Sequence, residues 1–362
     1  MEYKIAVLPG DGIGPEIVNE AVKVINTISN KYNLKINLKY GLVGGSAWDK
    51  YKHHLPEETL EVCRQSDAIL FGAVGGPVNE QNLPKWKGAE RTALLGLRKE
   101  FDLFANLRHI RLPDYLIDSS PLKNKIIKDG FDIMFVRELT SGIYFGDPKG
   151  REGNDSNEKA YDTMVYKRWE IERVTRVAFE IARKRNKKLT SIDKANVLTT
   201  MVFWREVVEE LSKDYPDVKC EHMLVDNAAM QLVRNPAQFD VVLCGNMFGD
   251  ILTDEAAGVA GSLGMLPSAS LRDDNFGLYE SGGGSAPDIA GKNIANPVAQ
   301  ILSVAMMFRF TYMRSDIADD IEKAVDSVLK KGYRTRDIAY SDSKIVTTSV
   351  LGDLICEEIE NQ

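Results

Sequence analysis

The sequence predicts an α/β protein built on a central sheet flanked by helices. Short apolar runs alternate along the chain with stretches of helical periodicity, the pattern of strands feeding helices. At 362 residues the chain exceeds one typical domain. A composition of 44% hydrophobic and 27% charged residues is that of a soluble globular protein whose core needs no staples.

The elements follow in order. Residues 5–8 form an apolar run, and residues 17–28 have a helical pattern; "PGDGIGPE" joins them. "DAILFGAVGGP" (67–77) reads as a strand entering a glycine turn. "FDIMFVREL" (131–139) and "FDVVLCGNMFGD" (239–250) are strand-like. Between them, "WEIERVTRVAFEIARKR" puts Ile171, Val174, Val177, Ala178 and Ile181 on one helical face. "ARKRNKK" (182–188) is the cationic end of that helix, where the dipole favours positive charge. Residues 142–166 are polar, rich in Gly and Asn, with aromatic fragments at each end. They form either a disordered loop or a projecting hairpin that packs on another subunit; composition does not choose.

The formal net charge of −7 and the lack of a long basic block argue against nucleic-acid binding. Cys63, Cys220, Cys244 and Cys356 stand singly, so neither a zinc site nor a disulfide framework is indicated and a reducing compartment fits. No signal peptide is expected, because no charged lead precedes a long apolar run. No run reaches the ~18 apolar residues of a membrane helix, so the chain is expected in the cytoplasm.

In "GNMFGDILTDEAAG", Asp250 and Asp254 are four apart, and a helix starting near Phe248 would put both on one face. Two anions side by side are tolerated if solvated, if they cap the helix, or if a cation lies between them. Hard oxygen ligands without His or Cys suit Mg2+ or Mn2+. A solvated acidic helix start is the plainer reading of the pair alone. Asp226 ends another apolar run and is either a third oxygen ligand or the N-cap of a helix over 227–233; the residues alone favour the cap. Arg98, Arg108 and Arg137 sit near strand and helix ends and could grip carboxylates through paired hydrogen bonds, or simply form ion pairs. Tyr144 and Lys194 could move protons, although core tyrosine and surface lysine are their default readings. "GGGSAPDIAGKNIANP" (282–297) offers glycines, Ser285 and Asp288 for a nucleotide, without the GK[ST] of a P-loop.

Taken together, "LPGDGIGPE", "LLGLRKEFDLFANLR", "VRELTSGIYFG", "DKANVL", "GNMFGDILTDEAA" and "GSAPDIAGKNIANP" strongly resemble the β-decarboxylating dehydrogenases of the isocitrate/isopropylmalate family, in its isopropylmalate branch, from about residue 4 to about 353. The resemblance implies a two-domain fold with a central mixed sheet, not a standard Rossmann fold. Residues 1–103 plus 261–362 would form a large discontinuous domain with most of the NAD site. Residues 104–260 would form an inserted dimerisation domain, with an arm near 142–166. The active site would draw on both chains of a homodimer.

The resemblance also implies roles. Tyr144 and Lys194 would be catalytic. Arg98, Arg108 and Arg137 would hold substrate carboxylates. Asp250 and Asp254, with Asp226 of the other chain, would hold Mg2+ or Mn2+, and Asp226 would also meet the substrate. Pro77, Glu90, Asn196, Gly284, Ser285, Ala286, Pro287, Asp288, Ile289 and Asn296 would contact NAD. Asp288 would meet the adenosine ribose and repel the extra phosphate of NADP. Leu94 and Leu95 stand where isocitrate enzymes place Ser and Asn, implying an apolar wall for an isopropyl group. The implied reaction is NAD- and metal-dependent oxidative decarboxylation of (2R,3S)-3-isopropylmalate to 4-methyl-2-oxopentanoate, in leucine biosynthesis. The opening glycines, at 10, 12 and 14 and followed by Pro15, meet the GxGxxG fingerprint only loosely, and "KYNLKINLKY" provides no acidic residue for a ribose. They would make a tight turn beside the cofactor. Gly282 and Gly283 depart from members that carry Val-His before GSAPD.

Overall fold

The computed structural model describes residues 2–362. The chain opens with β1 (Glu2–Gly10), α1 (Gly14–Lys31), β2 (Lys35–Tyr40), α2 (Gly45–Tyr51), α3 (Glu57–Arg64), β3 (Ala68–Ala73) and α4 (Ala89–Glu100). It continues through β4 (Ala105–Leu112), α5 (Asn124–Ile127), β5 (Phe131–Glu138), β6 (Gly150–Glu152), β7 (Lys159–Tyr161), α6 (Arg168–Arg183), β8 (Lys188–Asp193) and α7 (Thr199–Ser212). Then come β9 (Lys219–Leu224), α8 (Val225–Arg234), β10 (Val241–Cys244), α9 (Asn246–Ala260), β11 (Pro267–Leu271), β12 (Gly277–Ser281), α10 (Val298–Phe310), α11 (Ser315–Lys330) and α12 (Thr348–Asn361). Two compact units result. The first is the chain up to Phe101 with Tyr115–Pro121 and Ala260–Gln362; the second is Asp102–Asp114 with Leu122–Val259.

In the first unit the strands run β2-β1-β3-β12-β11, parallel except for β11, which is antiparallel to β12. Every residue of β3, AILFGA, is buried, as a parallel strand covered on both faces requires. Pro15 in the first turn of α1 presets its φ for the helix. α1 packs on α10 and α12, and α10 lies against β11 and β12.

In the second unit the order is β4-β5-β10-β8-β9, with β4 antiparallel to β5 and the other pairs parallel. α6 packs on β5, β8 and β10. Its buried face is Ile171, Val174, Thr175, Ala178, Phe179 and Ala182. Val177 and Ile181, expected on that face, are only half-buried. Phe179 displaces them by stacking flat on Tyr215, with ring centroids 4.5 Å apart. α6 ends at Arg183, and the cations there are paired: Arg183 with Asp217 at 2.9 Å, Arg185 with Asp240 at 2.8 Å. The 142–166 stretch forms a short antiparallel hairpin, β6 with β7, exposed at every strand position. No helix among the described residues is long and apolar enough to cross a membrane.

Candidate active site

β4 and β5 bring two arginines to one face. Their register sets Asn106 opposite Arg137, and Arg108 lies two residues beyond Asn106 on the same side. β10 runs beside β5 with Cys244 level with Arg137, so α9, beginning at Asn246, starts next to that arginine. Arg137 is 1% exposed. It donates to Asp250 Oδ1 at 2.5 Å and, from Nε and Nη2, to Asn246 Oδ1 at 3.2 and 2.8 Å. Arg108, 6% exposed, donates to Asn106 Oδ1 and Asp254 Oδ1 at 3.0 Å and to Thr253 Oγ1 at 2.6 Å. The Tyr144 hydroxyl donates to Asp250 Oδ2 at 2.9 Å. The structure thus gathers Arg108, Arg137, Tyr144, Asp250 and Asp254 into one constellation. The helix starts at Asn246, two residues earlier than expected at Phe248, because Asn246 is fixed on every side. Its amide nitrogen donates to the Ser141 carbonyl, and its backbone N–H donates to the Tyr166 hydroxyl.

Burial pushes the Asp254 carboxyl above its ordinary value; Arg108 opposes the rise and Asp250 adds to it. Burial also raises the Tyr144 hydroxyl, and the Asp250 charge raises it further, which keeps its proton on at neutral pH.

Lys194 and Asp226 form a second constellation. β8 and β9 are parallel with Asp193 level with Leu224, so Lys194 and Asp226 leave adjacent strand ends together. Lys194 Nζ donates to Asp226 Oδ1 at 2.6 Å, and that bond lowers the carboxyl below its ordinary value. The expected N-cap role of Asp226 is not found. α8 begins at Val225, Leu224 is the N-cap, and no side chain caps it, since the Asp226 carboxylate is turned to the lysine. Within the chain, no group of three His, Cys, Asp or Glu that could hold a metal is gathered among the described residues. Asn196 is exposed, two residues beyond Lys194.

The remaining expected residues lie in the first unit. Arg98, on α4, is 5% exposed and donates to Glu280 Oε1 of β12 at 3.0 Å; its Nε is buried without a hydrogen-bond partner. Leu94 and Leu95, one turn earlier, are half-buried, and Glu90 is exposed. A Cβ added to Gly75 would lie 3.3 Å from both Glu90 Oε1 and Ser285 Oγ, so these two side chains converge on the glycine turn that precedes Pro77. In the 284–296 loop, Gly284, Pro287 and Asp288 are exposed, Ala286, Ile289 and Asn296 are half-buried, and Ser285 is buried.

The opening motif closes this neighbourhood. Gly10 and Gly12 have φ of +71° and +58°. A Cβ on Gly12 would fall 1.9 Å from the Ser285 carbonyl oxygen, and the Ile13 N–H donates to that oxygen at 2.8 Å. The glycines therefore serve close approach to the 284–296 loop. Asp11 accepts from the backbone N–H groups of Gly45, Ser46 and Gly75 at 2.8, 2.9 and 3.2 Å, tying three turns together.

Asp11, Asn246, Glu138, Asp193 and Glu280 carry these constellations without having been singled out from the sequence. Asp193, 0% exposed, receives Arg205 at 2.9 and 2.8 Å and the Ala195 N–H at 3.0 Å, fixing the turn that bears Lys194. Glu138, also 0% exposed, receives the N–H groups of Thr140 and Ser141, fixing the turn that leads to Tyr144. For Asp193 and Glu138 the available signal was an acid directly beside a candidate residue, Lys194 or Arg137, at the end of an apolar run.

The family model of the isocitrate/isopropylmalate dehydrogenases matches residues 4–355. The chain is similar to the 3-isopropylmalate dehydrogenase of Yersinia pestis, at 57% identity over 98% of this chain and 97% of that one. It is similar to that of Syntrophotalea carbinolica, at 58% over 99% and 98%. Among solved structures, an isocitrate dehydrogenase from Methylococcus capsulatus superposes with TM-score 0.86 at 35% identity, covering 99% of each chain. A β-decarboxylating dehydrogenase from Thermococcus kodakarensis superposes with TM-score 0.79 at 35% identity, covering 99% of this chain and 96% of that one.

Proposed function

The chain belongs to the isocitrate/isopropylmalate dehydrogenase family and is a β-decarboxylating dehydrogenase; from that premise we propose that it converts (2R,3S)-3-isopropylmalate to 4-methyl-2-oxopentanoate and CO2, in leucine biosynthesis, with NAD and Mg2+ or Mn2+. The observation that carries this reading is the cluster of two buried arginines, two half-exposed aspartates and a tyrosine hydroxyl. Two guanidinium ions offset two carboxylates, so a bound diacid would leave two uncompensated negative charges. Asp250 and Asp254 would hold a divalent cation that restored the balance, and an all-oxygen donor set suits Mg2+ or Mn2+. The exposed, left-handed turn around Ala286 and the open space beside Gly284 suit the close approach of a dinucleotide. Bound there, the metal would supply a Lewis acid to the substrate oxygens, and NAD a hydride acceptor.

The chain's own residues do the rest. Arg98, Arg108 and Arg137 grip the substrate carboxylates, and Leu94 and Leu95 wall the isopropyl group. Lys194 takes the hydroxyl proton as that carbon is oxidised to a ketone. The carboxylate β to the ketone leaves as CO2. Tyr144 then gives its proton to the carbon left behind. Asp288 meets the adenosine ribose, with Pro77, Glu90, Asn196, Ser285, Pro287, Ile289 and Asn296 along the cofactor.

Lys194 and Asp226 serve the second subunit of a homodimer, in which residues 142–166 act as an arm, residues 104–260 as the dimerisation domain, and residues 1–103 plus 261–362 as the large domain. Exposed apolar side chains on the helices that carry the acids support this: Met230 and Val233 on α8, Ile251 on α9. The cytoplasm, a reducing compartment, suits four cysteines that remain free thiols among the described residues.

Turnover of 3-isopropylmalate, isocitrate and D-malate with NAD and with NADP tests the reading. The expected result is a clear preference for 3-isopropylmalate with NAD, abolished by chelator and restored by Mn2+. A preference for isocitrate or D-malate overturns the substrate, and activity that survives chelation overturns the metal.

A further inference from the structure

We infer that Glu16 and Asn293 are positioning residues that hold the 284–296 loop in its cofactor-ready shape, an inference that rests on the NAD reading above. Glu16 is the third residue of α1. An acid there commonly bonds back to its own helix start, but this helix has no side-chain cap. The carboxylate is turned outward instead. One oxygen accepts the Gly291 N–H and the other accepts the Asn293 N–H at 3.1 Å. Gly291 and Asn293 have φ of +75° and +55°. Backbone of that hand turns N–H groups inward toward an anion, so Glu16 stands as the built-in anion that stabilises the turn.

Asn293 is tied on its other side to the start of α12. Its carbonyl accepts the Thr348 N–H at 3.1 Å, its Oδ1 accepts the Ser349 N–H at 3.0 Å, and its Nδ2 donates to Ser349 Oγ at 3.0 Å. Thr348 Oγ1 adds a bond to the Ala295 carbonyl at 2.6 Å. At the loop's beginning, the Ile13 N–H holds the Ser285 carbonyl at 2.8 Å. The loop is therefore pinned at 285, at 291–293 and at 295, by elements distant in sequence. Residues 286–289, which include Asp288, span the interval between the pins. Asn tolerates the left-handed conformation better than most residues and also supplies the amide that reaches Ser349. An exposed loop held this way loses little entropy when a dinucleotide binds, which is where affinity is gained.

Two measurements test this in the full chain. One is tryptic cleavage after Lys292, which is exposed and lies between the two clamped N–H groups, followed by mass spectrometry without any ligand. The other is the Kd for NAD by fluorescence titration, with the KM values for NAD and for 3-isopropylmalate. E16A is expected to be cleaved faster at Lys292 and to bind NAD about tenfold more weakly, the scale of losing a charged anchor that preorganises the loop. The rise should fall on the KM for NAD and not on that for the diacid. E16Q, which keeps one accepting oxygen, should fall between wild type and E16A, and N293G, which keeps the backbone but loses the Ser349 link, should also bind NAD more weakly. The E16Q and N293G results decide the matter should E16A not fold. Wild type that binds no NAD overturns the cofactor reading and the inference with it. Wild type that binds NAD, with E16A and E16Q binding equally well, overturns the inference alone, whatever the cleavage rate.

Discussion

Lys194 and Asp193 are adjacent in sequence, yet their substitution should have opposite consequences. Lys194 keeps 28% of its side chain exposed, and its partner Asp226 keeps 58%. Exposed pairs contribute little to folding, so Lys194→Ala should shift the melting temperature by no more than about 3 °C. Proton transfer by a positioned group contributes about 10²–10⁴-fold to rate, so turnover should fall by that factor. Asp193 is 0% exposed and holds Arg205 through two bonds and the Ala195 N–H through a third. Asp193→Asn removes the charge and turns an amide donor toward a guanidinium. A fully buried pair would cost about 3–5 kcal/mol to break. Arg205 keeps 33% of its side chain in water, which lowers the expected loss to about 2 kcal/mol, or roughly 4–8 °C. Thermal melts by circular dichroism and steady-state turnover with 3-isopropylmalate, NAD and Mn2+ read both effects. Lys194→Ala protein that keeps more than about a tenth of wild-type turnover refutes the proton-transfer role. An Asp193→Asn melt that matches wild type refutes the idea that this buried pair fixes the strand end.

Three further outcomes are expected. Glu138 is pushed up to about 7 by burial, from an ordinary value of 4.5. The neutral form is the one folding favours, so between those values unfolding releases a proton and stability falls as pH rises, by about 3 kcal/mol at most; Glu138→Gln should gain on wild type in melts from pH 5 to 8, and a constant gap would show that Glu138 does not titrate there. Leu94→Ala should lower kcat/KM for 3-isopropylmalate about 10–100-fold while affecting unbranched D-malate less, since a pocket discriminates a methyl or two by ~1–3 kcal/mol; equal losses on both would remove the apolar wall. On the proposed placement of Asp288 at the adenosine ribose, Asp288→Ser should raise the use of NADP relative to NAD about tenfold by removing a charge that repels the extra phosphate, and an unchanged ratio measured with both cofactors would refute that placement.

Local pattern was enough to locate most elements. The apolar runs within 5–8, 67–77, 131–139 and 239–250 became β1, β3, β5 and β10, because a strand buried on both faces must be continuously apolar, but the strand expected to 250 stops at Cys244 and residues from Asn246 open α9. The acids Asp250 and Asp254 share a helix face because helical spacing dictates it. Boundaries and cap roles were less legible. Asp226 reads as an N-cap by type, but a lysine at the end of the neighbouring strand takes its carboxylate. The α6 face shifted toward Phe179 because Tyr215, 36 residues on, offers a flat ring to stack against.

By itself the sequence determined the α/β alternation and the family, and it singled out the side chains proposed to carry chemistry, since residue type and spacing are local properties. Tertiary structure alone decided how those side chains are held. Arg137 is oriented by Asn246, Lys194 by Asp193 and Arg205, and the 284–296 loop by Glu16 and the start of α12. Apart from Asp193, the chain neighbour of Lys194, those partners come from elements brought close by strand register and helix packing, and a buried polar group takes whichever partner the packing delivers to it.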